Sequence, residues 1–191
     1  MEETVKSQAE ASQWVYDYSD MLYRYALQRV RSAETAKDLV QDTFLSAWRN
    51  YEGYRGEASV KSWLFVILKR KLIDYYRRVA GTVTEALDVD DAGEARFFNR
   101  SDHWLRSALP AVWREDEESS LEKSEFYAVL DGCKRKLKEV QSAVFTMKYM
   151  EDLDSDEICK VLDLSPSNYW VLLHRAKVQL RACLEMNWFM R

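Results

Sequence analysis

A chain of 191 residues has room for one domain or two small ones, and 47% hydrophobic with 13% aromatic content is ample for a core. Five Gly, two Pro and the lack of alternating apolar patterns point to an all-α protein and away from sheet architectures. A net charge of −4 excludes a uniformly basic nucleic-acid binder, so any contact with DNA must come from local basic surfaces.

The chain opens Met1-Glu2-Glu3 with no apolar run behind a basic start, and no segment reaches the roughly 20 apolar residues of a membrane span. A cytoplasmic protein without direct membrane insertion is expected. Residues 15–80 form a first helical block. Ala36, Leu39, Val40, Thr43, Phe44, Ala47, Trp48 and Tyr51 recur at three- and four-residue spacing, which predicts a helix burying that face. Leu39, Phe44 and Trp48 are expected in the core, while Gln41, Asp42 and Leu45 fall away from much of the stripe. The run Tyr51 to Glu57 breaks the pattern with two glycines. Ser59 is placed to cap a further helix, with Val60, Trp63, Leu64, Ile67, Leu68, Leu72 and Tyr75 on its apolar face. From Ser59 to Ala80 six Lys/Arg stand against one Asp, a net of +5.

Residues 81–118 differ in character. Between Asp88 and Glu118 nine acids face four arginines, a net of −5, with Gly93 and Pro110 interrupting any helix. This composition predicts an acidic, partly ordered linker. Phe97, Phe98, Trp104 and Trp113 are too many large aromatics for a freely solvated one, and suit docking onto a flanking domain or a partner.

The second block, residues 119–188, begins with a capping box at Ser119-Ser120-Leu121-Glu122 and continues through Phe126, Leu130, Leu137, Val140, Val144, Phe145 and Met147. Another capping box, Asp154 to Glu157, opens a helix carrying Ile158, Val161 and Leu162. That helix ends within Leu162-Asp163-Leu164. Ser165 then caps a new helix with Pro166 at its first position, where a missing amide hydrogen costs nothing. Two helices joined by about three residues are the helix-turn-helix arrangement, whose second helix enters a DNA major groove. On that helix Tyr169, Leu173, Ala176 and Leu180 form a buried face. Asn168, Trp170, Val171 and His174 point elsewhere, and His174 to Lys177 and Arg181 supply phosphate-seeking charge. For Trp170 and Val171 two placements stay open, against DNA or packed inside the domain.

Cys133, Cys159 and Cys183 are odd in number and far apart, so three reduced core residues are expected rather than a disulfide or zinc site. Two histidines, no Gly-rich phosphate loop and no carboxylate–histidine cluster give no support for an enzyme, a metal site or a cofactor.

Three passages, in order, resemble the extracytoplasmic-function branch of bacterial sigma factors. They are Asp38-Leu39-Val40-Gln41-Asp42-Thr43-Phe44-Leu45-Ser46-Ala47-Trp48; Tyr54 to Ser59 with Trp63-Leu64-Phe65 and Ile73 to Arg78; and Asp156-Glu157-Ile158 to Leu180-Arg181. Together they span Tyr18 to Leu184. The resemblance implies that Asp38, Gln41, Asp42 and Leu45 contact core RNA polymerase. It places Tyr54, Arg55, Gly56, Lys61, Lys69, Arg70, Lys71, Arg77 and Arg78 at the promoter minus-ten element, where a flipped base is held. Trp63, Tyr75 and Tyr76 are candidates to stack bases there, with a core position favoured for Trp63. It places Ser165, Ser167, Asn168, Trp170, Val171, His174, Arg175 and Lys177 at the minus-thirty-five element. It further implies an anti-sigma partner. Arg70 stands where the family often has Asn, Lys138 replaces a frequent Pro, and Ser167 to Leu172 depart from the common recognition helix. The rival expectation is a free-standing helix-turn-helix regulator, which would leave the first block idle.

Overall fold

The computed structural model describes the backbone of residues 2–82 and 120–189, with side chains over 13–81 and 124–189. The connector and its four aromatics, and the capping box at Ser119, lie outside the described residues. Among the described residues all regular structure is helical, and the chain divides into two compact units, Met1–Arg78 and Val79–Arg191.

In the first unit α1 (Glu2–Leu27) packs on α2 (Ala33–Arg49), a 3-10 turn follows at Tyr51–Gly53, and α3 begins at Val60 and runs on to Thr82. Ser32 starts α2 by accepting the backbone N–H of Glu34 and Thr35 at 3.2 and 3.4 Å, satisfying donors that a helix start leaves orphaned. The core is Leu22 and Ala26 from α1, Ala36, Leu39, Val40, Thr43 and Ala47 from α2, and Leu64, Leu68 and Leu72 from α3. Thr43 is tolerated there because its hydroxyl donates to the Leu39 carbonyl at 2.7 Å. Edge-on aromatic pairs, Trp14–Trp63 at 5.9 Å and Tyr25–Phe65 at 5.0 Å, join α1 to α3. The Tyr76 hydroxyl donates to the Arg29 carbonyl at 2.9 Å, pinning α3 to the α1–α2 connection.

In the second unit α4 (Ser120–Lys134), α5 (Glu139–Tyr149) and α6 (Ser155–Leu162) all contact α7 (Pro166–Leu184), which ends in a π-helical turn at Glu185–Phe189. Lys138 caps α5 through its backbone N–H, which donates to Gln141 Oε1 at 3.2 Å, so the missing proline is made good by another device. Asp154 is the N-cap of α6 but makes no side-chain capping bond, so the expected capping box does not form. Asp156 and Glu157 in the first turn still complement the helix dipole. Helix α6 stops at Asp163, which is left-handed (φ 53°), and the Leu164 N–H closes onto the Cys159 carbonyl at 2.9 Å. Ser165 then accepts the Asn168 N–H at 3.2 Å and α7 begins at Pro166.

One expectation about the cysteines fails. Cys133 and Cys183 form a disulfide across 50 residues of sequence, joining the end of α4 to the end of α7. Distance along the chain says nothing once α4 and α7 are packed side by side, and the two Cα atoms lie 5.7 Å apart. Only Cys159 is free, and it is half-buried.

Tyr169 is fully buried and its hydroxyl has no hydrogen-bond partner among the described residues. Burial, then the nearby Tyr149 and Cys159, push its phenol above the ordinary range. Removing the hydroxyl therefore removes an unsatisfied polar group. Tyr169→Phe should stabilise the second unit by about 1 kcal/mol at neutral pH in denaturant unfolding. The native state holds this proton more tightly than the unfolded chain does. Stability is thus intact below pH ~10 and declines as pH rises through the raised native value. Tyr169→Phe should lessen that alkaline decline; an equal decline in the variant would assign it to other groups.

Candidate nucleic-acid and polymerase interface

On α2 the buried positions Ala36, Leu39, Val40, Thr43 and Ala47 leave a contiguous outer stripe. Asp38, Gln41, Asp42 and Leu45 lie on it, all exposed, with spacings of three and four residues. Trp48 extends the stripe at 46% exposure, correcting its expected place in the core. The apolar face narrows to Ala47 at this end, and one further residue turns past its edge. The resulting surface combines two carboxylates, an amide and two exposed apolar side chains, a composition suited to a protein partner.

Between the 3-10 turn and α3, the segment Tyr54 to Ser59 is held by its own chemistry. The Tyr54 ring stacks on Trp63 with centroids 4.6 Å apart, and the Tyr54 hydroxyl donates to the Ala58 carbonyl. Gly56 has φ +72°, a conformation costly for other residues, and the space where a Cβ would stand is open. Ser59 caps α3 by accepting the Ser62 N–H at 3.2 Å. Arg55 projects from this loop into solvent. Trp63 is half-buried, neither wholly core nor freely available, since Tyr54 covers one face and Trp14 meets it edge-on. Tyr76 is buried at 2% exposure with its hydroxyl engaged, which removes it as a base-stacking candidate; Tyr75 is half-buried.

Lys61, Lys69, Arg70, Arg77 and Arg78 are exposed along α3 and Lys71 is half-exposed. Arg77 pairs with Asp74 at 3.0 Å, but both side chains are more than half exposed, so the pair is weak and easily exchanged. A groove of about 690 Å3 between α2 and α3 collects Arg70, Lys71, Trp63 and Ile67 with Arg49 and Asn50 from the end of α2. Arg49 and Asn50 fall between Trp48 and Tyr51 on the apolar stripe and drew no attention in the sequence; only the groove brings them beside Arg70 and Lys71. Trp63 is the shared wall of the groove and the Tyr54 loop.

On α7 the buried face is Tyr169, Leu172, Leu173, Ala176, Val178 and Leu180, wider by Leu172 and Val178 than the sequence pattern predicted. Opposite it, Ser165, Ser167, Asn168, Trp170, Val171, His174 and Lys177 are exposed, and Arg175 is half-buried. The open choice for Trp170 is decided by its 59% exposure: it is not a core residue. Its ring meets Tyr169 edge-on at 5.1 Å, which fixes its base while leaving one side to solvent. Lys177 Nζ lies 5.3 Å from the centre of the Tyr149 ring. Among the described residues no three His, Cys, Asp or Glu side chains gather to hold a metal, and no helix is long and apolar enough to cross a membrane.

Residues 14–82 match the family model for sigma-70 region 2, and residues 127–180 match that for sigma-70 region 4. The chain is 35% identical over 160 residues to a probable RNA polymerase sigma factor of Haemophilus influenzae, covering 84% of this chain and 82% of that one. It is 25% identical to the ECF RNA polymerase sigma factor SigM of Bacillus subtilis, covering 86% and 89% of the two chains. Among solved structures it aligns with the sigma factor RpoE of Bartonella quintana, crystallised with the anti-sigma factor NepR. That alignment has a TM-score of 0.40 and 16% identity, over 92% of this chain and 97% of that one. The chain belongs to the extracytoplasmic-function family of RNA polymerase sigma factors.

The exposures separate structural from surface roles in a checkable way. Trp48→Ala and Trp170→Ala should each change stability by no more than about 0.5 kcal/mol. Leu172→Ala, 3% exposed, should cost about 2–5 kcal/mol in the same urea titration. A large loss on Trp170→Ala would return that residue to the core.

Proposed function

We propose that the chain binds core RNA polymerase through the outer stripe of α2 and directs initiation at promoters read by its two units. The carrying observation is the division of α7: six residues form its buried face, and Asn168, Trp170, Val171, His174 and Lys177 are exposed on the other side, after a Ser165-capped start. Asn can pair bidentately with adenine, and Trp170 and Val171 can contact thymine methyls. His174 and Lys177 suit phosphates, which position the helix without specifying sequence. In the first unit the α2–α3 groove and the Tyr54 loop would receive a base flipped from the strand. Unstacking that base costs a few kcal/mol, and Arg49, Arg55, Arg70 and Lys71 would hold the backbone that carries it.

The protein acts in the cytoplasm, where the polymerase is, and stoichiometrically, without catalysis of its own. An anti-sigma partner would keep it inactive until signalled. Domain roles follow the same division: residues 15–80 for polymerase and the minus-ten element, 119–188 for the minus-thirty-five element, and 81–118 as linker.

Run-off transcription with added core polymerase tests the whole proposal. Operator binding without any polymerase-dependent transcription would favour a free-standing regulator instead. Asp42→Arg reverses charge on the outer stripe and spares Leu39 and Thr43, so the variant should stay folded by circular dichroism yet lose core polymerase in a pull-down. In the second unit Asn168→Ala should cost about 1–3 kcal/mol at one base pair and relax preference there. Lys177→Ala should weaken all sequences alike and reduce the salt dependence by about one phosphate. Equal losses across sequences for Asn168→Ala would show that another stripe of α7 faces the bases.

A further inference from the structure

The DNA-reading surfaces leave one chemical feature unused: a cysteine pair at the far end of the recognition helix. Cys133 and Cys183 join α4 to the last turn of α7 inside an apolar cluster that includes Leu137, Ala176 and Leu180. The two sulfurs have unequal surroundings. Cys133 is 3% exposed, whereas Cys183 is half-buried. Asn187, in the π-helical turn, reaches back over Cys183. Its Nδ2 donates to the Cys183 carbonyl at 2.7 Å and lies 3.5 Å from the Cys183 sulfur. Cys183, the less buried of the two, is therefore the sulfur an incoming disulfide or dithiol meets first. Cys159 sits apart on α6, its thiol pushed up by burial and then by the Asp156 carboxylate, so it is a poor competitor.

We propose that Cys133 and Cys183 are a redox-modification site that exchanges with small-molecule disulfides and dithiols, the oxidised form clamping the end of the recognition helix to α4. Bacterial cytoplasm keeps most thiols reduced, and disulfides found there are usually transient or redox-sensing. In the oxidising direction the Cys183 thiolate attacks one sulfur of glutathione disulfide. That S–S bond breaks and one glutathione thiolate leaves with the electron pair. The Cys133 thiolate then attacks the Cys183 sulfur of the mixed disulfide and expels the second glutathione. The two cysteine thiols lose two electrons and two protons in total, and the glutathione disulfide takes up both to become two thiols. Reduction by a dithiol runs the same bonds in reverse. The bond closes a 50-residue loop that contains the whole helix-turn-helix, so the dithiol form should melt at a lower temperature.

The test uses the full chain carrying Cys159→Ser, so that only the pair is counted. The protein is equilibrated in glutathione mixtures from fully reduced to fully oxidised and its free thiols are trapped with a maleimide. Two reactive thiols should become none across the series and return with dithiothreitol. Oxidation should raise the melting temperature of the second unit by about 10 °C. Between the two melting points the oxidised form should bind upstream promoter duplex and the reduced form should have lost most of that binding. Adding Cys133→Ser should fix the protein in the lower-melting state whatever the glutathione ratio. A pair that stays oxidised in reduced glutathione, or stays reduced in oxidised glutathione, overturns the proposal. So do equal melting points, equal DNA binding by the two forms at the intermediate temperature, or a Cys133→Ser variant that still responds. The DNA readout rests on the promoter role proposed above. If neither form binds DNA at any temperature, that role fails, while thiol count and melting still decide the exchange.

Discussion

Helix α7 is the centre of a small core, and in the proposed role it must also read DNA with its other face; the second unit is arranged around the first of these demands and leaves room for the second. Its six buried residues meet α4, α5 and α6, each of which contacts α7. Full burial of a large apolar side chain is worth roughly 1.5–3 kcal/mol, so this one face supplies a large share of what a small unit has to offset its chain entropy. The outer face carries little of this burial, though Trp170 still leans on Tyr169 and Lys177 on Tyr149. Ser167, Asn168, Trp170 and Val171 are exposed, so their departures from the usual family residues fall outside the buried face, which Tyr169 and Leu172 keep. Tyr169 is the point where the two demands meet: it anchors the start of the helix and braces Trp170, and it does so with a hydroxyl that finds no partner.

In the first unit the equivalent element is a chain of rings rather than a helix face. Tyr51 and Trp63 both meet Trp14, and Tyr54 stacks on Trp63. A loop with two glycines would otherwise sample many shapes, and binding would have to supply the cost of ordering it. The rings and the Ser59 cap fix both ends of Tyr54 to Ser59 before any ligand arrives, leaving Gly56 as the one position that needs a left-handed backbone. Trp63, a base-stacking candidate in the sequence, thus serves first as a brace.

The helices and the buried stripes were largely legible in the sequence, because burial repeats with the helical period and caps are local. Ser32, Ser59 and Ser165 each depend only on the next three residues. What could not be read was set by neighbours in space. Trp48 is exposed because the α2 contact surface ends at Ala47, and Tyr76 is buried because Arg29, 47 residues away, offers a carbonyl. The Cys133–Cys183 bond depends on α4 lying beside α7. Helix α1 was passed over although Trp14, Leu22 and Ala26 are at helical spacing, because Met1 and Val5 are the only large apolar residues among the chain's first dozen and the pattern is diluted. The proposed site residues rest mainly on resemblance; physics alone would have placed the outer stripe of α2 as an ordinary solvated edge.

A negatively charged chain that recognises DNA has to localise its positive charge and accept modest affinity from each unit alone. Six basic residues against one acid over Ser59–Ala80 are the local positive charge of the first unit, and on the proposed assignment Arg175 and Lys177 serve in the second. Phosphate contacts are additive and salt-sensitive, so a handful in each unit gives weak, readily reversed binding. Weakness is useful when both units are carried by the same polymerase. With polymerase held at the α2 stripe as proposed, binding of the second DNA element would become intramolecular, its strength set by effective concentration rather than by its own few contacts. Promoters offering both elements are then favoured over the many sites offering one. Selectivity on this scheme comes from the requirement that polymerase, minus-ten and minus-thirty-five contacts be made together, so raising the affinity of either DNA surface alone would erode it.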